Sequence, residues 1–210
     1  MSRAGAQAAG LLLAAGAGLR LGLGKPKALV TDKEGRSWLE RSVTALSEGG
    51  ATPVFVVVGA DAVAVEAAMP AGCLTVEAVD WQEGMGASLR SGLTEVALNF
   101  PTTAAVVVTL VDTPGVGPEV VRRLLERASP DALVRAAYGG VPGHPVLLGR
   151  EHWRGVLEQA AGDRGARDYL GSADVELVEC DDIGSGTDID TPAGLNSWRG
   201  GTSRGPAPSS

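Results

Sequence analysis

The first constraint on the fold is an apolar segment near the start of the chain that ends in a glycine-rich loop. Residues 8–14 read Ala-Ala-Gly-Leu-Leu-Leu-Ala, which is the length of a buried β-strand, and Ala15-Gly16-Ala17-Gly18 follow directly. The small residues of this loop let the backbone turn and approach a ligand closely. A strand that ends in such a loop favours an α/β sheet with a binding site at the carboxyl ends of its strands.

Positive side chains follow the loop in a chain that is acidic overall. Arg20 and Lys27 precede Asp32, the first acidic residue, although the formal net charge is -7. Cations next to exposed backbone N–H groups bind polyphosphates. The loop is not a Walker A motif, because Pro26 stands at the hydroxyl position, and it is not a dinucleotide fingerprint, because Leu21 replaces the third glycine. The predicted ligand is an anion that neither standard loop describes.

Strand-like and helical segments alternate along the rest of the chain. Apolar runs predict strands at 53–59, 73–79, 104–111, 132–138, 146–148 and 175–180. Helices are predicted at 37–46, 61–69, from Ser88 as a cap towards Leu98, and at 118–128, 150–160, 165–170 and 192–198, with 139–145 as a loop. We expect a Rossmann-like three-layer α/β fold with a mostly parallel central sheet.

Composition limits the class of protein. The 210 residues, 44% of them hydrophobic, predict one domain over 1–198, and the Gly, Ser and Pro content of 199–210 predicts a disordered tail. The negative net charge argues against nucleic acid as a partner, and no apolar run reaches the roughly 20 residues of a membrane span. Cys73 and Cys180 are expected to be buried thiols. Cleavage of the N-terminal apolar segment as a signal peptide would remove the glycine loop, so we expect a cytoplasmic protein.

Two similar tetrapeptides provide candidate metal ligands. Asp112 and Asp190 each follow an apolar residue and precede Thr-Pro, and such carboxylates can hold Mg²⁺ together with water and phosphate oxygens. The alternative is that both aspartates stabilise turns, with Thr191 as a helix cap before Pro192. Asp188 is close enough to replace Asp190 as the ligand.

Several segments together resemble one enzyme family. Leu13 to Gly22 and Pro26 to Leu29 are similar to the signature of the nucleotidyltransferases that act on sugar phosphates and cofactors. With the Gly84–Arg90 segment, the Gly143-His144-Pro145-Val146 segment and the aspartate tetrapeptides, the chain resembles the MobA-like nucleotidyltransferases. Within these, it is most similar to molybdenum cofactor cytidylyltransferases.

The resemblance implies a fold, a reaction and a set of site residues. The fold would be nucleotide-diphospho-sugar transferase-like, and the reaction would be Mg²⁺-dependent transfer of CMP from CTP to the terminal phosphate of molybdopterin. Ala14-Ala15-Gly16 implies CTP rather than GTP. The implied nucleotide-binding residues are Leu13, Ala14, Ala15, Gly16, Gly18, Arg20, Lys27, Gly84, Gly86 and Ser88. The implied catalytic residues are Arg20, Lys27 and Asp112, the metal ligands Asp112 and Asp190, and the acceptor-binding residues Gly143, His144 and Pro145.

Alternatives remain at the level of the sequence. The acceptor is a molybdopterin-type compound or another phosphorylated molecule, such as a sugar phosphate or a lactate-type phosphate. A different class is a non-catalytic carrier that passes the matured cofactor to a molybdenum hydroxylase or its chaperone. Arg164 and Arg167 either reach the acceptor phosphate or belong to a solvated turn, and His144 either touches the acceptor or is structural. His152 and the four tryptophans are assigned to packing.

Overall fold

The computed structural model describes residues 7–200. Within this range the strands are β1 (Ala8–Leu13), β2 (Val54–Val58), β3 (Cys73–Glu77), β4 (Ala105–Leu110), β5 (Leu133–Tyr138), β6 (Val141–Gly149) and β7 (Glu176–Glu179). The α-helices are α1 (Trp38–Gly49), α2 (Ala62–Ala67), α3 (Met85–Asn99), α4 (Pro118–Leu125), α5 (Arg150–Gln159), α6 (Arg167–Ser172) and α7 (Pro192–Gly200). Short 3₁₀ helices lie at Leu19–Leu21, Lys27–Leu29, Trp81–Glu83 and Gly162–Arg164.

The strands form one sheet in the order β3-β2-β1-β4-β6-β5-β7. β1 pairs in parallel with β2 and β4, whereas β6 pairs antiparallel with β4 and β5. The pairing of β1 with β4 places the last residues of these strands, Leu13 and Leu110, side by side. Ligands of α/β sheets bind at this end of the strands. The predicted mostly parallel α/β fold is confirmed.

Helices cover both faces of the sheet. Leu12 faces a layer that contains α1 and α4, and Leu11 and Leu13 face a layer that contains α3 and α5. Because successive strand residues point to opposite faces, a strand buried on both faces is apolar throughout, as β1 is. The first helix starts at a capping box, in which Ser37 Oγ accepts from Glu40 N and the Glu40 carboxylate accepts from Ser37 N.

The predicted loop at 139–145 is wrong. Only Gly139 and Gly140 form the turn, with φ of +60° and +77°, and β6 begins at Val141. Two glycines at positive φ are what a two-residue hairpin turn requires, so no longer loop is needed. Gly143, His144 and Pro145 therefore belong to a strand that lies between β4 and β5 in the sheet.

The two cysteines differ in burial. Cys180 is fully buried, as predicted, but Cys73 is only half-buried, so the prediction for Cys73 is wrong. Cys73 begins β3, which is the last strand at one edge of the sheet and exposes most of its side chains. Both thiols are free.

The predicted boundary of the C-terminal tail is also corrected. Arg199 lies in α7, and its guanidinium donates to the Thr31 carbonyl oxygen at 2.9 Å. Arg199 therefore belongs to a helix, while residues 201–210 of the predicted tail lie outside the described range. In the described range, no helix is long and apolar enough to cross a membrane.

Candidate active site

The glycine loop leaves the C-terminal end of β1. Gly18 has φ +68°, and a Cβ at this position would lie 3.0 Å from the Lys25 carbonyl oxygen, so a larger residue would be strained here. Within residues 7–200, the backbone N–H groups of Gly16, Ala17 and Gly18 have no hydrogen-bond acceptor. Consecutive free N–H groups are donors for the oxygens of a phosphate. The loop is therefore suited to an anionic ligand.

Lys27 joins the glycine loop to the two predicted metal carboxylates. Its Nζ donates to Asp112 Oδ2 at 2.6 Å and also to Asp190 Oδ1. Arg20 Nη1 donates to Asp190 Oδ2 at 3.1 Å. Asp112 follows the end of β4, and its carbonyl oxygen accepts from Ile189 N at 2.9 Å, which fixes the segment of Asp190 beside it. The fold thus assembles one charged network of four side chains from three separate parts of the chain.

Burial and pairing have opposite effects on these groups. Burial disfavours the Lys27 ammonium, but Asp112 and Asp190 outweigh burial and raise the pKa of Lys27. Burial raises the pKa of Asp112 against the effect of Lys27, whereas the hydrogen bond from Lys27 lowers the pKa of Asp190. Lys27 therefore stays charged, and the charge of Asp112 depends on a nearby cation.

The carboxylate of Asp112 fits the role of a cation ligand. Its Oδ1 is buried and has no hydrogen-bond partner among the described residues, a situation that costs free energy unless a cation or donor binds. Asp190 also accepts a hydrogen bond from Lys27. Asp188 lines the same cavity as Asp112 and Asp190, which is described below as the arginine cavity. The described part of the chain has no cluster of three or more His, Cys, Asp or Glu side chains that could hold a metal. A hard cation here would need oxygens from water or a bound phosphate, which Mg²⁺ commonly uses.

A cavity of about 340 Å³ opens between the glycine loop and the start of α3, and we call it the loop cavity. It is lined by most of the predicted nucleotide-binding residues, namely Leu13, Ala15, Gly16, Gly18, Arg20, Lys27, Gly84 and Ser88. Ala14 and Gly86 lie behind this lining. Ala14 is fully buried and donates to the Val57 carbonyl oxygen, and Gly86 packs against Ala161. The volume is in the range of small-molecule sites.

The loop cavity also has aromatic and polar side chains that were not predicted from the sequence. Trp81, Gln82 and Asp163 also line it. The assignment of Trp81 to packing is therefore incomplete, because its ring is partly exposed to the cavity. The signal was present, since Trp81 and Gln82 directly precede the Gly84–Ser88 segment. Asp163 comes from a distant 3₁₀ helix that only the tertiary fold brings to this site.

The prediction that Ser88 caps α3 is wrong. Gly84 is the N-cap residue, with φ +111°, and Ser88 lies inside the helix and is buried. A residue other than glycine at position 84 would place its Cβ 2.6 Å from Asp163 Oδ1. Gly84 thus allows the helix to begin in close contact with the segment that supplies Asp163.

Gly86 allows α3 to lie close to the segment around Ala161. A Cβ at Gly86 would lie 2.7 Å from the backbone nitrogen of Ala161. Because the contacted atoms belong to the Ala161 backbone, they have little room to move away. We expect Gly86→Ala to lower the free energy of unfolding by about 1–3 kcal/mol, measured by urea denaturation. Gly171→Ala is the matched control, because a Cβ at this helical position meets nothing within 4 Å. Equal stability of the two variants would contradict the prediction.

A second cavity of about 440 Å³ adjoins the first, and we call it the arginine cavity because Arg135, Arg164 and Arg167 line it. Lys27 and Asp112 line both cavities. The charged network therefore lies at their junction, where a group bound in one cavity can reach a group bound in the other.

A bulge in β6 supplies one wall of the arginine cavity. Arg135 pairs with Val146 and Ala137 pairs with Pro142, so one residue of β5 faces three of β6. Gly143 and His144 of this bulge line the cavity, whereas Pro145 is buried. Bulges redirect side chains in this way. Two of the three predicted acceptor-binding residues thus face a cavity.

His144 is neutral in this wall. Burial, with the nearby guanidinium groups of Arg135 and Arg167, lowers the pKa of His144 to about 4. The Tyr138 hydroxyl donates to the His144 carbonyl oxygen at 2.8 Å, and Arg135 Nε donates to the Gly143 carbonyl oxygen at 2.8 Å. His144 therefore offers a hydrogen bond rather than a charge. His152 hydrogen-bonds Tyr169 and lies outside both cavities.

A glycine loop with free backbone N–H groups at the end of a parallel strand, next to a lysine and two joined cavities, is suited to an enzyme that binds a phosphorylated ligand. Residues 10–177 match the family described as the MobA-like NTP transferase domain. The chain belongs to this family and is a nucleotidyltransferase, as the sequence predicts.

Relatives cover nearly the whole chain. Nicotine blue oxidoreductase of Paenarthrobacter nicotinovorans is 38% identical over 192 residues, which are 87% of this chain and 91% of that protein. The crystal structure of Rv0371c from Mycobacterium tuberculosis H37Rv is 26% identical, with a TM-score of 0.79 over 94% of this chain and all of that one. Rv0371c is also known in complex with manganese, with a TM-score of 0.75, 26% identity and coverage of 93% of this chain and 100% of that one.

Proposed function

We propose that the protein transfers CMP from CTP to the terminal phosphate of molybdopterin and releases pyrophosphate. The observation that carries the proposal is the position of Lys27, which bridges Asp112 and Asp190 at the junction of the loop cavity and the arginine cavity. A triphosphate in the first cavity would present its α-phosphate to an acceptor in the second. CTP is proposed over GTP because of the Ala14-Ala15-Gly16 sequence.

The chemistry needs no protein nucleophile. An oxygen of the acceptor phosphate forms a bond to the α-phosphorus, and the bond from this phosphorus to the bridging oxygen of the β-phosphate breaks. The acceptor phosphate is already ionised, so no general base is required. Free N–H groups of the glycine loop would position the triphosphate, and Lys27 and Arg20 would stabilise negative charge as it moves to the leaving pyrophosphate.

Asp112 and Asp190 would hold a divalent cation, for which we propose Mg²⁺. When bound, the cation would neutralise phosphate charge and orient the phosphate oxygens. The buried, unpartnered Oδ1 of Asp112 supports this role, as does the manganese complex of Rv0371c. Asp112 Oδ1 would be free to bind the cation, whereas both oxygens of Asp190 accept hydrogen bonds, one from Lys27 and one from Arg20.

The test is pyrophosphate release with molybdopterin as acceptor, with CTP or GTP, and with Mg²⁺ or a chelator. We expect turnover with CTP that stops when Mg²⁺ is chelated, and at least tenfold lower kcat/KM with GTP. Turnover with a sugar phosphate or a lactate-type phosphate, and none with molybdopterin, would show that molybdopterin is not the acceptor. Cofactor transfer without any nucleotide turnover would favour the carrier instead. The cytoplasmic location and the recipient molybdenum hydroxylase or chaperone remain predictions.

A second candidate function is oxidoreduction, which the 38% identity to nicotine blue oxidoreductase suggests. Electron transfer would need a redox group, and the two cysteines are free. A bound nicotinamide dinucleotide could supply electrons, but the glycine loop lacks the third glycine of the dinucleotide fingerprint. Oxidation of NADH or NADPH in the presence of a quinone-like dye, without pyrophosphate chemistry, would establish this activity in place of transfer.

A further inference from the structure

We infer that Arg135 and Arg167 recognise a second electron-rich or anionic group of the acceptor, at the end opposite to the phosphate that reacts. The inference rests on the proposed function, since it concerns the acceptor of that reaction. It names the two residues that would select an elongated acceptor over a simple phosphate monoester.

The first argument is the position of Arg135. Arg135 lies on β5 and pairs with Val146 of β6, which in turn pairs with Val108 of β4. Arg135 is therefore two strands away from β4, the strand that leads to Asp112. Two strand spacings are about 10 Å at the backbone. The lining of the arginine cavity also includes Val108 and Leu110 of β4, which are apolar. The cavity thus combines charged groups on strands about 10 Å apart with apolar surface.

The second argument is uncompensated charge. Arg135 is half-buried, and in the described part of the chain it forms no ion pair; its guanidinium donates only to the carbonyl oxygens of Gly143 and Pro142. Arg167 lines the same cavity and also has no carboxylate partner in that range. Burial lowers the pKa of Arg135, and the like charge of Arg167 lowers it further. Arg164, in contrast, is paired with Asp168 at 3.0 Å.

Two neighbouring guanidinium groups without a carboxylate are stabilised by an anion from solution. The neutral imidazole of His144 lies beside them in the same wall and adds a hydrogen-bonding group without adding charge. The chemical class that fits is a molecule with a terminal phosphate at the junction and an anionic or electron-rich head about one cavity length away.

Steady-state kinetics with CTP and molybdopterin test the inference in the full-length protein. Arg135→Gln and Arg167→Gln are expected to raise the KM for molybdopterin at least tenfold and to change the KM for CTP less than twofold. Arg167→Gln should leave the fold intact because the side chain is exposed. Arg135→Lys should recover part of the loss because it keeps the charge. Arg154→Gln is the control, because Arg154 is exposed, pairs with Glu158 and lines neither cavity.

A binding measurement separates this inference from the proposed reaction. Inorganic phosphate is titrated into the protein while the side-chain Nε–H resonances of Arg135, Arg167 and Arg154 are followed by NMR. If molybdopterin is no substrate, shifts of Arg135 and Arg167 without a shift of Arg154 still support the inference, and the absence of shifts overturns it. If molybdopterin is turned over, an unchanged acceptor KM in both glutamine variants overturns the inference and leaves the proposed reaction standing.

Discussion

Asp112→Asn is expected to lower kcat for pyrophosphate release from CTP about 1,000-fold, which corresponds to about 4 kcal/mol of transition-state stabilisation. Asparagine keeps the shape of the side chain but removes the charge. Asp112 is the carboxylate with a buried, unpartnered Oδ1, and it also fixes Lys27 through a 2.6 Å hydrogen bond. The substitution therefore weakens the proposed metal site. It also releases the Lys27 ammonium, which would contact phosphate, from its position.

The neighbouring aspartates provide a graded comparison for this experiment. Asp190→Asn should lower kcat by a similar order, because Asp190 contacts both Lys27 and Arg20. Asp188→Asn should lower kcat less, since Asp188 forms no ion pair with Lys27 or Arg20 within the described residues. Asp182→Asn serves as the matched control, because Asp182 pairs with Arg123 on the surface. Turnover by Asp112→Asn within tenfold of the wild type would contradict its role, and a larger loss for Asp188 than for Asp190 would exchange their assignments.

The sheet could be predicted because strands buried on both faces leave a strong pattern. The apolar runs of β1, β2 and β4 are continuous, and glycine or proline marks the turn that follows. The bulge in β6 left no such pattern, because Gly143, His144 and Pro145 look like a loop in the sequence. Their place in a strand depends on the two-residue turn at Gly139 and Gly140, which shortens the connection.

The members of the charged network could be predicted, but their pairing could not. In the sequence, Arg20 and Lys27 form a positive segment without acidic neighbours. In the fold, the same side chains meet Asp112 and Asp190, so the positive segment is compensated by residues far away in the chain. Contacts between residues that are 85 to 170 positions apart depend on strand order, which local patterns do not specify. For the same reason Arg135 and Asp163 were not predicted to line the cavities.

Lys27→Met is expected to have the second large effect, on stability as well as on activity. The lysine side chain is 14% exposed and the Asp112 side chain 16%, so removal of the ammonium leaves a largely buried carboxylate unpaired beside a second one. We expect the free energy of unfolding, measured by urea denaturation in the presence of a chelator, to fall by about 1–3 kcal/mol. We also expect kcat to fall at least 100-fold, because a positive charge near the phosphates is lost.

A double-mutant cycle separates the pair from the individual side chains. Lys27→Met is expected to be destabilising because it leaves the Asp112 carboxylate unpaired. Adding Asp112→Asn to the same protein should then recover part of the lost stability. The interaction free energy should exceed the roughly 0.5 kcal/mol that independent sites show. Lys25→Met is the control, since Lys25 lies on the same loop and forms no ion pair within the described residues. Additive effects in the cycle would mean that Lys27 and Asp112 contribute independently, and that the lysine is held by the loop rather than by the carboxylate. Coupled effects would instead show that the resting site is held together by the same charges that the proposed reaction needs.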